Sequence, residues 1–170
     1  MTRRLFAVGI LAASSVAQPV AAAGAADGHA HAENSPIGVA GKATAATRIV
    51  KVEMTDAMRF IPPSVRVARG ETVRFVVTNT GKLKHEFVLG TEKELKAHHE
   101  VMKRFPEMEH ADPNMVTVAP GKTGEVVWRF TKAGTVDIGC LQPGHYDAGM
   151  KGAVTVGAVK GRAKSDPRRH

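Results

Sequence analysis

Residues 115–140 read MVTVAPGKTGEVVWRFTKAGTVDIGC. The runs MVTVA, GEVVWRF and TVDIGC alternate apolar with polar or small side chains, the pattern of strands that bury one face. Ala119-Pro120-Gly121 and Ala133-Gly134 separate them with turn-forming residues. Upstream, TRIVKVEM, SVRVA, ETVRFVVTN and HEFVLG repeat the rhythm, punctuated by Ile61-Pro62-Pro63, Arg69-Gly70 and Thr80-Gly81; downstream, GAVTV adds a last run. Seven or eight short strands at this spacing predict an all-β Greek-key β-sandwich over residues 47–156.

One segment breaks the rhythm. Residues 91–105, TEKELKAHHEVMKRF, are rich in helix formers, and Thr91 with Glu94 three residues on makes a capping-box pattern. A short helix is therefore expected inside an insertion over about residues 91–114, which Asp112-Pro113-Asn114 closes.

The two ends of the chain carry no strand pattern. Arg3 and Arg4 precede LFAVGILAASSVAQPVAAAGA, an apolar run ending in small residues, so residues 1–23 read as a signal peptide cut near Ala23 or Ala25. The run is too short and too rich in small residues for a stable membrane anchor, and TRRLF leaves both general and twin-arginine export open. Residues 24–46 are small, polar and non-periodic and are expected to form a flexible arm. Residues 157–170 are expected to be a basic disordered tail. The formal net charge is +8, and removing Arg3 and Arg4 lowers it to +6. No aromatic residue interleaves with the basic tail, so nucleic acid is not an expected partner.

Export implies an oxidising compartment, here the periplasm, where paired cysteines would form disulfides. The chain has one cysteine. Cys140 opens CLQPGHYDAGM, with His145 and Met150 following in a Gly- and Pro-rich loop. Thiolate, imidazole and thioether are the ligands that select copper, and a metal masks an unpaired thiol. A second imidazole must come from elsewhere, and His85 in NTGKLKHEFVLG is the one histidine in a strand-like context. Two imidazoles, one thiolate and a weak axial thioether describe an electron-transfer copper centre. Zinc would not normally use methionine, and a catalytic-cysteine reading lacks a third residue to orient the base and gives Met150 no role.

The motif of His85 plus Cys140-x4-His145-x4-Met150, set on this strand pattern, resembles the cupredoxins, the small blue or green copper proteins that include plastocyanin, azurin and rusticyanin. MTDAMRF, KHEFVLG, the His/Met-rich insertion and GCLQPGHYDAGMKG look like exported cupredoxin-like proteins of bacterial copper tolerance. The resemblance implies copper, cycling between Cu(I) and Cu(II), at His85, Cys140, His145 and Met150. One position departs from the family: Glu86 stands where many cupredoxins have Asn or Ser after the first ligand. A carboxylate there would tie the two ligand-bearing loops together or favour the oxidised ion.

The chain also holds more soft donors than one centre needs. His98, His99, Met102, Met108 and His110 form a candidate second copper site in the insertion, with His98 and His99 four and three residues from Met102. Met54, Asp56 and Met58 form a third candidate, and His29 and His31 a Cu(II) motif in the arm. Against this stands the plain reading, in which Met102, Met54 and Met115 are core residues. The expected function is periplasmic copper handling in copper tolerance by a monomer, with Cu(I) oxidation as an attendant activity; the alternative is an electron carrier whose basic surface docks an acidic redox partner. No hydrolase, transferase or nucleotide-binding motif is present.

Overall fold

The computed structural model describes residues 35–106, 108 and 111–157. The expected signal peptide, the arm as far as residue 34, His29, His31, His110 and the tail beyond Gly157 lie outside the described residues.

Ten strands and one α-helix follow in the order β1 (Val39–Ala40), β2 (Arg48–Thr55), β3 (Arg59–Ile61), β4 (Ser64–Ala68), β5 (Thr72–Asn79), β6 (His85–Gly90), α1 (Glu92–Arg104), β7 (Met115–Val118), β8 (Thr123–Arg129), β9 (Gly134–Gly139) and β10 (Lys151–Gly157). They form two five-stranded sheets, ordered β1-β8-β5-β2-β3 and β4-β10-β9-β6-β7. β2 pairs with β5 and β4 with β10 in parallel; the other pairings are antiparallel. The chain crosses between sheets at β3–β4, β4–β5, β5–β6, β7–β8 and β8–β9, as the predicted sandwich requires.

Period-two alternation fills the space between the sheets. Val50, Val52 and Met54 of β2, Val73, Phe75 and Val77 of β5, and Val126 and Trp128 of β8 point inward from one side. Phe87 and Leu89 of β6, Val136 and Ile138 of β9, and Val154 and Val156 of β10 meet them from the other. Phe87 sits at the centre, with ring centroids 5.2 Å from Phe75 and 5.8 Å from Phe60. Each such side chain contributes about 1.5–3 kcal/mol by leaving water.

β6 is buried along its whole length. Its outer face is covered by α1, whose Leu95 and Met102 join Val88, Met115, Leu141 and Tyr146 in a second apolar cluster. The expected capping box is present: Glu94 N donates to Thr91 Oγ1 at 3.2 Å, and Thr91 N donates to Glu94 Oε2 at 2.8 Å. The chain returns to the sheet where Leu89 N donates to Asn114 O at 2.9 Å and Asn114 Nδ2 donates to Leu89 O at 2.6 Å.

The expectation of a flexible arm up to residue 46 needs correction for residues 35–46. β1 pairs with β8, Ile37 is 1% exposed, and Trp128 Nε1 donates to Ile37 O at 2.7 Å. A single isoleucine under the tryptophan and a two-residue strand order this segment, and neither produces a periodic pattern. Among the described residues no helix is long and apolar enough to cross a membrane.

Candidate metal centre

Three strand ends meet at one pole of the sandwich. His85 opens β6, Cys140 directly follows the adjacent β9, and Met150 directly precedes β10, the other neighbour of β9. The loop over residues 140–150 is closed on itself: Cys140 N donates to Met150 O at 3.1 Å, Met150 N to His145 O at 3.0 Å, and His145 N to Gln142 O at 3.0 Å. Gly144 and Gly149 have φ of +81° and +89°, a region that non-glycine residues rarely enter, so the loop bends where the sequence places glycine.

His145 is thereby turned back over Cys140. Its Nδ1 lies 3.3 Å from Cys140 Sγ and 3.1 Å from His85 Nδ1, while His85 Nδ1 lies 3.9 Å from the sulfur. The donor atoms of His85, Cys140 and His145 all fall within 4.8 Å of one another, and among the described residues no other such group of three or more His, Cys, Asp or Glu donors forms. Met150 is fully buried in the same apolar cluster as Cys140. His85 and Cys140 are 0% exposed; His145, only half-buried, is the donor nearest solvent.

The local electrostatics leave these donors poised for a cation. Burial pushes the Cys140 thiol up to about 12, against the opposing pull of the Glu86 and Gln142 backbone amides, so the sulfur ionises only when a positive charge joins it. Burial, helped by His85, lowers the pKa of His145, with Asp56 pulling the other way. His85 Nε2 lies 3.1 Å from Asp56 Oδ1, on the side of the ring away from Cys140. Glu86 N donates to Cys140 Sγ at 3.3 Å. A buried soft sulfur faced by imidazole nitrogens fits copper and leaves little room for a hard cation that prefers oxygen.

Glu86 does join the two ligand-bearing segments. It is buried, and its Oε1 accepts from Gln142 Nε2 in the ligand loop and from Thr117 Oγ1 of β7. Its other oxygen is buried without a hydrogen-bond partner, and the residue lines a cavity of about 500 Å³ together with Lys84, Met108, Thr117 and Gln142.

The surplus donors are placed differently from the four above. Met102 is 1% exposed inside the second apolar cluster, and His99, also buried, lies 3.1 Å through Nε2 from Asp147 Oδ2 and stacks on Tyr146 at 5.2 Å. His98 is half-buried on a neighbouring face of α1, and Met108 lies beyond the helix, exposed. The described part of the insertion packs Met102 into the apolar cluster and pins His99 to the ligand loop. Of Met54, Asp56 and Met58, Met58 is partly buried against the core cluster that holds Met54. Met54 is fully buried core, while the Asp56 carboxylate accepts Lys82 N at 2.7 Å and Leu83 N at 3.2 Å and meets His85. Those amides, with His85, hold Asp56 below the usual carboxylate range despite some desolvation. Sequence reasoning gave Asp56 the wrong neighbours because its partner His85 is 29 residues away and reached only through the sandwich. The contact between His99 and Asp147 was missed for the same reason.

The sequence profile of the copper binding proteins of the plastocyanin/azurin family matches residues 46–157. The chain is 55% identical over 128 residues to the copper-resistant cuproprotein CopI of Rubrivivax gelatinosus, covering 75% of this chain and 78% of that protein. It is 36% identical over 154 residues to the protein of the same name from Pseudomonas aeruginosa, covering 74% and 84%. Among solved structures, a reduced auracyanin from Roseiflexus castenholzii superposes with a TM-score of 0.56 at 22% identity, covering 66% of this chain and 98% of that one, and auracyanin B with 0.56 at 23%, covering 72% and 96%. These structural likenesses carry the fold. With its two-sheet sandwich and the profile match from β2 through β10, the chain belongs to the plastocyanin/azurin family of copper-binding proteins, and copper is its metal.

Proposed function

We propose that this chain is an exported copper-tolerance protein of the periplasm with a copper centre at His85, Cys140, His145 and Met150. The convergence of Cys140 Sγ, His85 Nδ1 and His145 Nδ1 within 4.8 Å carries this reading. The names of the CopI relatives supply the context of copper resistance. Bound copper supplies one-electron exchange between its two oxidation states.

The chain's own residues provide the rest. Cys140 and His85 sit at the fully buried end and exclude water from the thiol and one imidazole. The closed loop fixes His145 and Met150 relative to Cys140, so the donors need little rearrangement when charge changes. His145, half-buried, offers the route by which an electron or a copper ion reaches the pole. Copper tolerance follows if the protein takes Cu(I) as cargo and passes its electron to an acceptor, either a redox protein or dioxygen, leaving Cu(II).

A second reading, a plain electron carrier, is favoured by one observation: Met102 and Met54 are buried in apolar clusters and so unavailable as an intake site. One experiment separates the two. Anaerobic Cu(I) titration, elemental analysis and visible spectra are compared for wild type, Cys140→Ser and a variant with His98, His99, Met102, Met108 and His110 all replaced by Ala. Copper handling predicts more than one copper per chain in wild type, with the surplus lost in the cluster variant. One copper in both, with full colour, favours the carrier; no intense charge-transfer band in wild type overturns the copper-ligand assignment.

A further inference from the structure

Behind His85 lies a carboxylate that the ligand set does not account for. Asp56 directly follows β2, and the turn over residues 79–84 is built around it. Asp56 Oδ2 accepts Lys82 N at 2.7 Å, and Oδ1 accepts Leu83 N at 3.2 Å while lying 3.1 Å from His85 Nε2. Thr80 N donates to Met54 O at 3.0 Å and Gly81 N to Asn79 Oδ1 at 2.9 Å, which shape the same turn. A Cβ at Gly81 would stand 2.0 Å from Asp56 Oδ1, so glycine is what lets the carboxylate settle onto the turn. His85 is 0% exposed, and bulk water does not reach its Nε2.

We propose that Asp56 is a positioning residue of the metal centre: its carboxylate accepts the His85 Nε2–H, fixes the tautomer that leaves Nδ1 bare, and by its negative charge favours Cu(II) over Cu(I). The first effect is geometric. An imidazole held by a hydrogen bond at the far nitrogen cannot rotate or shift its proton to the ligating one. The second is Coulombic. The oxidised ion carries one more positive charge than the reduced ion, and a fixed anion one imidazole away stabilises that extra charge across the buried His85 ring, with solvent at the exposed Asp56 carboxylate screening part of it. Asp56 would therefore make the centre a better acceptor for copper in its cupric state and a stronger reductant. The inference rests on the reading of His85 as a copper ligand, and the test keeps the two apart.

Imidazole nitrogen-15 spectra of the copper-free protein report the tautomer directly. In wild type His85 is expected to be protonated at Nε2, with that proton slow to exchange; in Asp56→Ala the protection is lost and the second tautomer appears. In Asp56→Asn, which keeps the side chain's shape and an acceptor oxygen, Cu(II) affinity is expected to fall about tenfold more than Cu(I) affinity, which raises the midpoint potential by about 59 mV. An Nδ1-protonated His85 in wild type overturns the proposal. So does an unchanged tautomer in Asp56→Ala, or a potential in Asp56→Asn equal to wild type. Anaerobic Cu(I) addition checks the underlying reading separately: if the His85 Nδ1 resonance does not shift in wild type, His85 is no ligand, whatever the variants show.

Discussion

Cys140, His145 and Met150 sit in an irregular loop, and His98, His99 and Met102 sit on a regular helix; both segments bring imidazole and thioether groups close together in sequence. The loop turns its donors toward one point because two glycines in the left-handed region fold the backbone back over Cys140. The helix cannot do this. Its side chains radiate at 100° per residue, and the stripe Leu95, His99 and Met102, at i, i+4 and i+7, is the one pressed onto the sheet. Soft donors close in sequence thus make a metal site only where the backbone converges; where it is periodic they are sorted by burial. In this fold the helix serves the loop, because His99 and Lys103 hold Asp147 two residues beyond His145.

The largest expected effect lies on the loop side. Cys140→Ser should lose the intense visible band entirely while circular dichroism of the copper-free protein stays native; a retained band would mean that the sulfur is not a ligand. On the helix side, Met102→Ala should cost about 2–5 kcal/mol in denaturant unfolding through the cavity it leaves, with copper per chain unchanged. A lower copper count at full stability would erase the contrast between the two segments. Thr91→Ala removes half of the capping box and should cost about 1 kcal/mol, again without moving the visible spectrum; a moved spectrum would show that the helix start, as well as His99, reaches the metal pole.

The smallest effect concerns the bridge between the two regions. Asp147 is held below its ordinary value of 3.8, first by the hydrogen bond from His99 and then by charge from His99 and Lys103 against some desolvation. A depressed folded pKa means stability that is fully present above the unfolded value and lost as pH falls through the lower folded value. Asp147→Asn should therefore flatten the part of the acid-unfolding curve that lies below about pH 4, measured by thermal melts across pH. An identical curve would remove the bridge from the account.

The sandwich was legible because strands with one buried face write their period into the sequence, as in 123–129 and 134–139. The loop donors were legible because they are neighbours along the chain. Thr91 and Glu94 announced the helix for the same local reason. Three features were not. β1 is two residues long and ordered by Ile37 beneath Trp128, too short for any period to show. The side of α1 that carries Met102 is set by Val88 and Leu141 of the sheet and loop, not by the helix itself. Asp56 reads as a companion of the methionines beside it, yet alternation along β2 sends Met54 into the core and the next hairpin turns the carboxylate to His85.

The hydrogen bond from Cys140 N to Met150 O has a consequence for inheritance. It ties the two ends of the loop to adjacent strands, so whatever lies between them is carried as a cassette between fixed posts. A lineage could lengthen, shorten or exchange residues 141–149 in a single event and alter the spacing of three donors together, while the half of the centre made by His85 and Asp56 stayed in the sheets, untouched.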